Sequence, residues 1–483
     1  MGIRRARNKD PLIRDLLGVL PPERVRVASL EQSLMQRDAS IFEAGRAGPV
    51  CFPLNTGEVQ GCVNVARHHG RAVVPRGAGT GLAGGAVPLD EPVMVVTTKM
   101  NRLLSVDPER QMAWVQPGMI NLDLSRATAS HGLHFAPDPS SQQVCSLGGN
   151  VATNSGGPHC LAHGVTSAHV LAVEVVLMSG EAVILGDPDG CSPGLDLRGA
   201  FIGSEGMLGI ATAIAVRLMP NPPAIQTLLL AFDTVDAAAR TVSAVIAGGI
   251  VPAAIEMMDA NIIAAVEEYV GAGFPTDAAA VVIVEVDGLP GGVEAEADRV
   301  AQLATERGGR VRRAADDKER ALLWKGRKSA FGAIARIKPN YYLHDTVVPR
   351  TRLAEVMSRV YEIVEEHDLQ VMNVFHAGDG NLHPLLLYDR KEPGIMDRVH
   401  AAGSAIIEAS LAAGGVLSGE HGIGIEKRDF MPLMFSEADL DAQRRLRRAF
   451  DPGEMANPGK VLPTGSSCAD INALDNVPEG VWG

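Results

Sequence analysis

The segment Arg76–Ala86 reads RGAGTGLAGGA and limits what this chain can fold into more than any other stretch. Within it, Gly79, Gly81 and Gly84 match G-x-G-x-x-G, the spacing of a dinucleotide-binding turn. Such a turn opens a helix and is followed about twenty residues later by an acidic residue that holds a ribose. Here Pro88 and the extended run 92–98 follow at once, so no helix fits and the dinucleotide reading is rejected. What remains is a loop whose backbone N–H groups can converge on an anion, with Arg76 and the Thr80 hydroxyl as further donors. A flexible, solvated loop is the competing reading of this stretch taken alone.

Glycine clusters recur at 148–157, 203–209, 378–380 and 414–424. Glycine makes up 52 of 483 residues, well above the ordinary ~7%, and five clusters in one chain point to binding loops. An apolar content of 46% without low-complexity tracts predicts a large core divided over two or three domains. The net charge of −13 argues against a phosphate-tracking nucleic-acid binder. The amino terminus lacks an apolar core and a small-residue cleavage site, so no signal peptide is expected. The densest apolar runs, HVLAVEVVLM and AAAVVIVEVDG, each carry a Glu. They fall well short of the ~20 residues that span a bilayer, so no transmembrane segment is expected. Six scattered cysteines with no C-x-x-C predict reduced thiols in a cytoplasmic setting, with neither zinc knuckles nor an iron–sulfur cluster.

Periodicity predicts a helix from residue 57, then strands at 72–75, 93–98, 103–107 and 112–115, and a helix over 121–131. A hairpin is expected across 169–178 and 181–185. The run NPPA at 221–224 reads as a domain boundary. Beyond it, strands at 227–232 and 280–286 alternate with helices at 235–247 and 292–307, the pattern of a separately cored second domain. An amphipathic helix at 438–450 then leads into NPGKVLP, read as the return of the chain to the first domain.

PRGAGTGL, PDP with SSQQVCSLGGNVATNSGG, and FIGSEGMLGI together resemble the flavin-binding domain of the vanillyl-alcohol oxidase / p-cresol methylhydroxylase superfamily. The resemblance implies an α+β fold, with a two-subdomain PCMH-type FAD-binding domain plus an α/β cap domain built on an antiparallel sheet. It implies an amino-terminal helical segment at 1–45, the FAD domain at 46–222, the cap at 223–445, and a return segment and tail at 446–483. In that family the first loop holds the FAD pyrophosphate, which implicates Pro75, Arg76, Gly77, Ala78, Gly79, Thr80, Gly81 and Leu82. The second and third stretches line the ribityl chain and ring. They implicate Pro137, Asp138, Gly148, Gly149, Asn150, Asn154, Ser155 and Gly156, then Gly203, Glu205, Gly206, Gly209 and Ile210. Asn457 joins them from the return segment. Covalent members carry a His where this chain has Thr80, so the FAD is expected to be non-covalent.

Two apolar strands flank Asp379-Gly380 in NVFHAGDGNLHPLLLY, a strong hairpin signal. With those two as the central turn residues, His376 lies directly opposite His383, at a spacing that suits two imidazoles on one metal ion. Hairpin histidines without a ligand are the alternative. A second motif, SGEHGIGIEK, adds Glu420 and His421 between glycines. Two imidazoles and a carboxylate make an open site for a divalent metal, with Zn, Mn or Fe all compatible. Against it stands a purely structural Glu420–His421 network.

These motifs, with LLWKGRKSAF and YYLHDTVVPR, resemble the 2-hydroxy-acid branch of the superfamily. That branch holds D-lactate dehydrogenases, D-2-hydroxyglutarate dehydrogenase and the FAD-linked subunit of bacterial glycolate oxidase, and the last is the best match. The resemblance implies FAD-dependent oxidation of a short 2-hydroxy monocarboxylate, glycolate to glyoxylate, with D-lactate or D-2-hydroxyglutarate as alternatives. His376, His383 and Glu420 are the expected metal ligands, His421 the general base and Arg327 the carboxylate clamp, while Lys325 and Lys328 belong to a solvated face. In 2-hydroxyglutarate dehydrogenase the positions of Leu385 and Phe331 are polar. Here they are apolar and offer a distal carboxylate no partner. The chain has no electron outlet of its own. The resemblance therefore implies a second FAD-type subunit and an iron–sulfur subunit, in the cytoplasm or at the inner face of the membrane through those partners. A catalytically silent flavoprotein scaffold and an NADPH-linked flavin reductase are the readings from other classes.

Overall fold

The computed structural model describes residues 10–42, 45–190 and 192–463. Cys191, Cys468 and the tail after residue 463 lie outside them. The chain divides into two compact units, one of Met1–Gly156, Val165–Pro220 and Glu420–Gly483, the other of Gly157–Gly164 and Asn221–Gly419. One division falls between Pro220 and Asn221. The chain re-enters the first unit at Glu420.

The first unit carries a two-stranded ribbon of Leu133–His134 with Met219–Pro220 and two main sheets. In the smaller, Val93–Val96 lies between Val50–Cys51 and Val73–Arg76, parallel to both. Helix Thr56–His68 makes the crossover, capped where the Asn55 carboxamide accepts from the Glu58 N–H at 3.0 Å. Its Val59, Cys62, Val63 and Ala66 pack with Leu12 and Leu16 of helix Pro11–Val19. The larger sheet is antiparallel, with Ile210–Arg217 paired to Met112–Val115 on one side and Val170–Val176 on the other. Residues 170–176 and 182–186 form the expected hairpin. The one carboxylate in VLAVEVV, that of Glu174, accepts from Thr56 Oγ1 at 2.5 Å and Thr212 Oγ1 at 2.7 Å.

The returning segment is held to this unit by backbone. Ile425 N–H donates to Ala83 O at 2.8 Å, and Val73 N–H donates to Met455 O at 2.9 Å while its carbonyl accepts from Asn457 N–H at 2.8 Å, which extends the edge of the parallel sheet. Between these contacts runs helix Glu437–Phe450, started by a Ser436–Asp439 capping box. These contacts explain why residues 420–445 belong to the first unit. The buried Glu205 carboxylate accepts from the N–H groups of Ile423 at 2.6 Å and Gly424 at 3.1 Å. Burial pushes its carboxyl up to about 7 and pushes the Lys460 ammonium down to about 7.

The second unit is one antiparallel sheet. Ala224–Phe232 pairs with Ala280–Gly288, which pairs with Ala254–Asp259, and that strand pairs with Gln370–His376. Helices Val235–Ala247, Ala260–Val270 and Asp317–Lys328 start at side-chain caps from Thr234, Asp259 and Asp316. Glu285, buried on the 280–288 strand, accepts from Thr227 Oγ1 at 2.6 Å, Trp324 Nε1 at 2.7 Å and Arg320 at 2.8 and 2.9 Å. The His159 ring stacks on Trp324 and reaches Glu285 at 3.6 Å, which ties residues 157–164 to this unit. Burial alone would raise the Glu285 carboxyl. The His159 and Arg320 bonds outweigh it and hold the carboxyl well below its usual range.

Two outcomes follow for stability. Replacing Glu285 with Ala strands Arg320 and the Trp324 N–H, and should cost about 3–5 kcal/mol, read as a lower denaturation midpoint. The flavin-free chain should be least stable near pH 7. Glu205, raised from 4.5 to about 7, holds extra protons when folded, so stability falls as pH rises through that window. Lys460, lowered from 10.5 to about 7, holds fewer protons when folded, so stability climbs again from about 7 to 10.5. Thermal melts between pH 5 and 10 should lose the falling limb in Glu205→Gln and the rising limb in Lys460→Met; unchanged profiles contradict the assignment.

Candidate functional site

In the first unit, Pro75 and Arg76 end a parallel strand, and residues 77–92 follow without a helix. Arg76 is buried and curls beneath the loop, so that a Cβ added at Gly79, whose φ is +76°, would land on its guanidinium. The loop's other wall is Asp38: Ala39 N–H donates to Gly81 O at 2.9 Å, and Ala86 N–H donates to the Asp38 carboxylate at 3.4 Å. Burial raises the Asp38 carboxyl.

The second stretch opens helix Leu147–Thr153, where Ser146 Oγ accepts from Gly149 N–H. Several residues carried over by resemblance spend their side chains internally. Asn150 Oδ1 accepts from Asn121 Nδ2 at 3.0 Å, and Asn121 also donates to Pro137 O at 2.9 Å. Asn154 Oδ1 accepts from Ser167 N–H at 2.8 Å, and Ser155 Oγ lies 3.5 Å from Thr166 Oγ1. What they offer a ligand is shape and backbone. The third stretch places Gly203, Glu205, Gly206 and Gly209 in a tight run before Ile210 starts its strand, with Glu205 itself at φ +50°. A Cβ added at Gly422 (φ +88°) would strike the Glu205 carboxylate. Asn457 Nδ2 donates to Gly85 O at 2.8 Å and Glu205 O at 2.6 Å, joining the first loop, the third and the return segment.

Ser204 Oγ, Asn457 Oδ1 and Lys460 Nζ are buried and make no hydrogen bond among the described residues. Orphaned polar atoms beside a glycine-lined loop fit a bound polar cofactor of FAD's kind. Asp38 and Lys460 were not read from the sequence. The signal for Lys460 was a lone cation in NPGKVLP, whose burial the sequence does not reveal.

In the second unit the hairpin register corrects the sequence expectation. His376 lies opposite Asn381, and Asn373 opposite Pro384, so Ala377–Gly380 forms the loop and Asp379-Gly380 is not the central pair. The shift moves His383 two residues along its strand. A move of two keeps it on the same face, diagonal to His376 and within reach of a long side chain. The imidazole centroids are 5.1 Å apart, edge to face. Both histidines are buried.

Ligand atoms of His376, His383 and Glu420 all lie within 4.8 Å of one another. Glu420 directly follows Gly419, whose N–H is held at 3.1 Å by both oxygens of the Asp345 carboxylate, while Ser418 Oγ donates to it at 2.6 Å. The covalent tether to this fixed residue sets where the Glu420 side chain starts. Two imidazoles and a carboxylate so grouped suit one divalent cation. His421 Nε2 lies 3.8 Å from Glu420 Oε1.

Arg327 is not on a solvated face: it is 2% exposed, with Nη2 2.6 Å from the buried Glu256 carboxylate. Its Nε has no hydrogen-bond partner among the described residues. Lys325 and Lys328 are exposed, as expected. Glu256 also meets His376 Nδ1 at 2.7 Å. Burial would raise its carboxyl, but the Arg327 and His376 contacts outweigh it and hold it below the ordinary range. Neither Glu256 nor Asp345 was singled out from sequence. The sign of Glu256 was a lone acid within AAIEMM. Leu385 is fully buried, paired across to Leu343 and Met372, and Phe331 packs near Tyr341.

Among known families, the one described as FAD linked oxidases, C-terminal domain, matches residues 221–461, and FAD binding domain matches residues 48–186. Glycolate oxidase subunit GlcD of Escherichia coli (strain K12) is 42% identical, with 95% of this chain and 94% of that protein covered. The subunit of the same name from Bacillus subtilis (strain 168) is 37% identical, covering 92% and 96%. D-lactate dehydrogenase of Anaerostipes hadrus is 30% identical, covering 92% and 95%. Among solved structures, p-cresol methylhydroxylase with substrate bound superposes with a TM-score of 0.80 at 17% identity, covering 94% of this chain and 97% of that one. That likeness establishes the fold. The relatives aligned over nearly the whole length go further, and this chain belongs to the FAD-linked oxidase family that includes the glycolate oxidase subunit GlcD.

Proposed function

We propose that this chain oxidises glycolate to glyoxylate as the FAD-linked subunit of a larger assembly. The observation that carries the proposal is the convergence of His376, His383 and Glu420 within 4.8 Å, in a chain 42% identical to a glycolate oxidase subunit over 95% of its length. FAD supplies the two-electron acceptor for the C2 hydrogen, and a divalent cation, Zn, Mn or Fe, supplies a Lewis acid at the 2-hydroxyl.

The protein's own part is to hold and to move protons. His376, His383 and Glu420 are the cation's ligands. His421 takes the hydroxyl proton, a task a neutral imidazole can perform as general base. The N–H edge of Arg327 not committed to Glu256 is the proposed grip on the substrate carboxylate. Pro75–Leu82, the 137–156 stretch, Gly203–Ile210 and Asn457 surround the FAD. Apolar Leu385 and Phe331 favour a substrate with no second carboxylate. D-lactate is the second reading, supported by the Anaerostipes hadrus relative. The name "subunit" in the GlcD relatives supports a larger assembly. A second FAD-type subunit and an iron–sulfur subunit are the partners proposed to carry the electrons onward. No helix among the described residues is long and apolar enough to cross a membrane. We place the protein in the cytoplasm, reaching the inner face of the membrane only through those partners.

Anaerobic titration of the metal-replete flavoprotein tests the assignment. Glycolate should bleach the oxidised flavin. D-lactate should do so more slowly, within about 10–200-fold for one added methyl, and D-2-hydroxyglutarate should leave it oxidised. Bleaching by D-2-hydroxyglutarate alone overturns the substrate. In the same assay, His421→Ala should slow reduction by about 10²–10⁴-fold with flavin content unchanged. Exhaustive chelation should abolish reduction and leave the flavin bound, and activity that survives it removes the metal from the reaction.

A further inference from the structure

We propose that Glu256 is a positioning residue for the metal site: it accepts the Nδ1 proton of His376 and so presents the Nε2 lone pair to the cation, with Arg327 as its fixed counter-charge. The inference rests on the metal reading given above. It begins with register. Glu256 on Ala254–Asp259 is paired directly with His376 on Gln370–His376, so the two side chains emerge on one face at the shortest cross-strand spacing. The contact is a hydrogen bond, 2.7 Å from Nδ1 to Oε1. The second carboxylate oxygen lies 2.6 Å from Arg327 Nη2. Glu256 is 1% exposed, His376 and Arg327 2%. Buried this deeply, the carboxylate is held by these two contacts and stays aimed at the ring.

An imidazole has one N–H and one lone pair when neutral, and the hydrogen bond made by one nitrogen decides which role the other plays. A carboxylate can only accept, so Nδ1 must carry the proton and Nε2 is left as the ligand. Arg327 gives the carboxylate a permanent partner on its far side. The ring then orients toward the cation with no search over tautomers. This also gives Arg327 a task the sequence did not suggest, and joins it to a ligand through its ion pair with Glu256 and the Glu256–His376 hydrogen bond.

Metal affinity of the flavin-loaded protein tests this directly. After chelation and dialysis, Mn²⁺ and Zn²⁺ are titrated by calorimetry, with bound metal counted by elemental analysis and flavin content and thermal midpoint followed in parallel. The wild type should bind one cation, and His376→Ala should lose it. Glu256→Ala should bind 10–100-fold more weakly at full flavin content. Glu256→Gln, which keeps the shape and one acceptor oxygen, should fall between. If Glu256→Ala does not fold, the Gln variant carries the measurement. Wild-type metal affinity in folded Glu256 variants, even with a lowered thermal midpoint, makes the residue merely structural and overturns the inference. A wild-type chain that binds no cation, or a His376→Ala chain that binds as well as wild type, overturns the metal site itself, a distinguishable failure.

Discussion

A carboxylate shut away from water must be met by donors or lose its charge, and this constraint shapes both units. Glu285 is met by a hydroxyl, an indole and a guanidinium, and through them draws a helix, two strands and the 157–164 crossing segment onto one point. Glu205 is met by two backbone N–H groups of the returning chain. Asp345 is met by Ser418 and Gly419, so the backbone leading into Glu420 is fixed. Asp259 caps a helix while accepting from Asn373 and Tyr361. In each case an acid within apolar surroundings pins one chain segment to another far away in sequence. The candidate site inherits its order from these pins.

How much of this could be read beforehand depends on whether the information is local. The absence of a helix after Arg76 was legible because proline and an extended run stand within a few residues of the glycines. The helix at 235–247 and the 170–186 hairpin were legible from periodicity and turn chemistry. The 373–388 hairpin was found but its register was not, since the sequence signal of Asp379-Gly380 yields to pairing with neighbours on both sides: Glu256 from one strand and Thr346–Val347 from another. His376 and His383 stayed on one face because the error was an even number of residues. Glu256 was invisible for the opposite reason. Its meaning comes from a residue 120 positions away, and no local pattern carries that.

Fold and chemistry separate along the same lines. The overall architecture is shared with p-cresol methylhydroxylase at 17% identity, so it does not specify a reaction. The proposed reaction rests instead on the second unit's charged interior, where His376, Glu256 and Arg327 stand in line and His383 lies diagonal to the first. Relatives at 42% and 37% identity share a name that a fold neighbour at 17% does not.

The glycine loops carry a different kind of instruction. At Gly79 the space for a side chain is already filled by the Arg76 guanidinium, and at Gly422 by the Glu205 carboxylate. Such positions are specified by what must be missing, so they constrain a few letters tightly and leave the neighbouring letters free. A fold marked out by exclusions can drift far in composition while keeping its shape. Its ancestry is then written in a sparse set of vacant positions, and a tally of shared side chains will understate it.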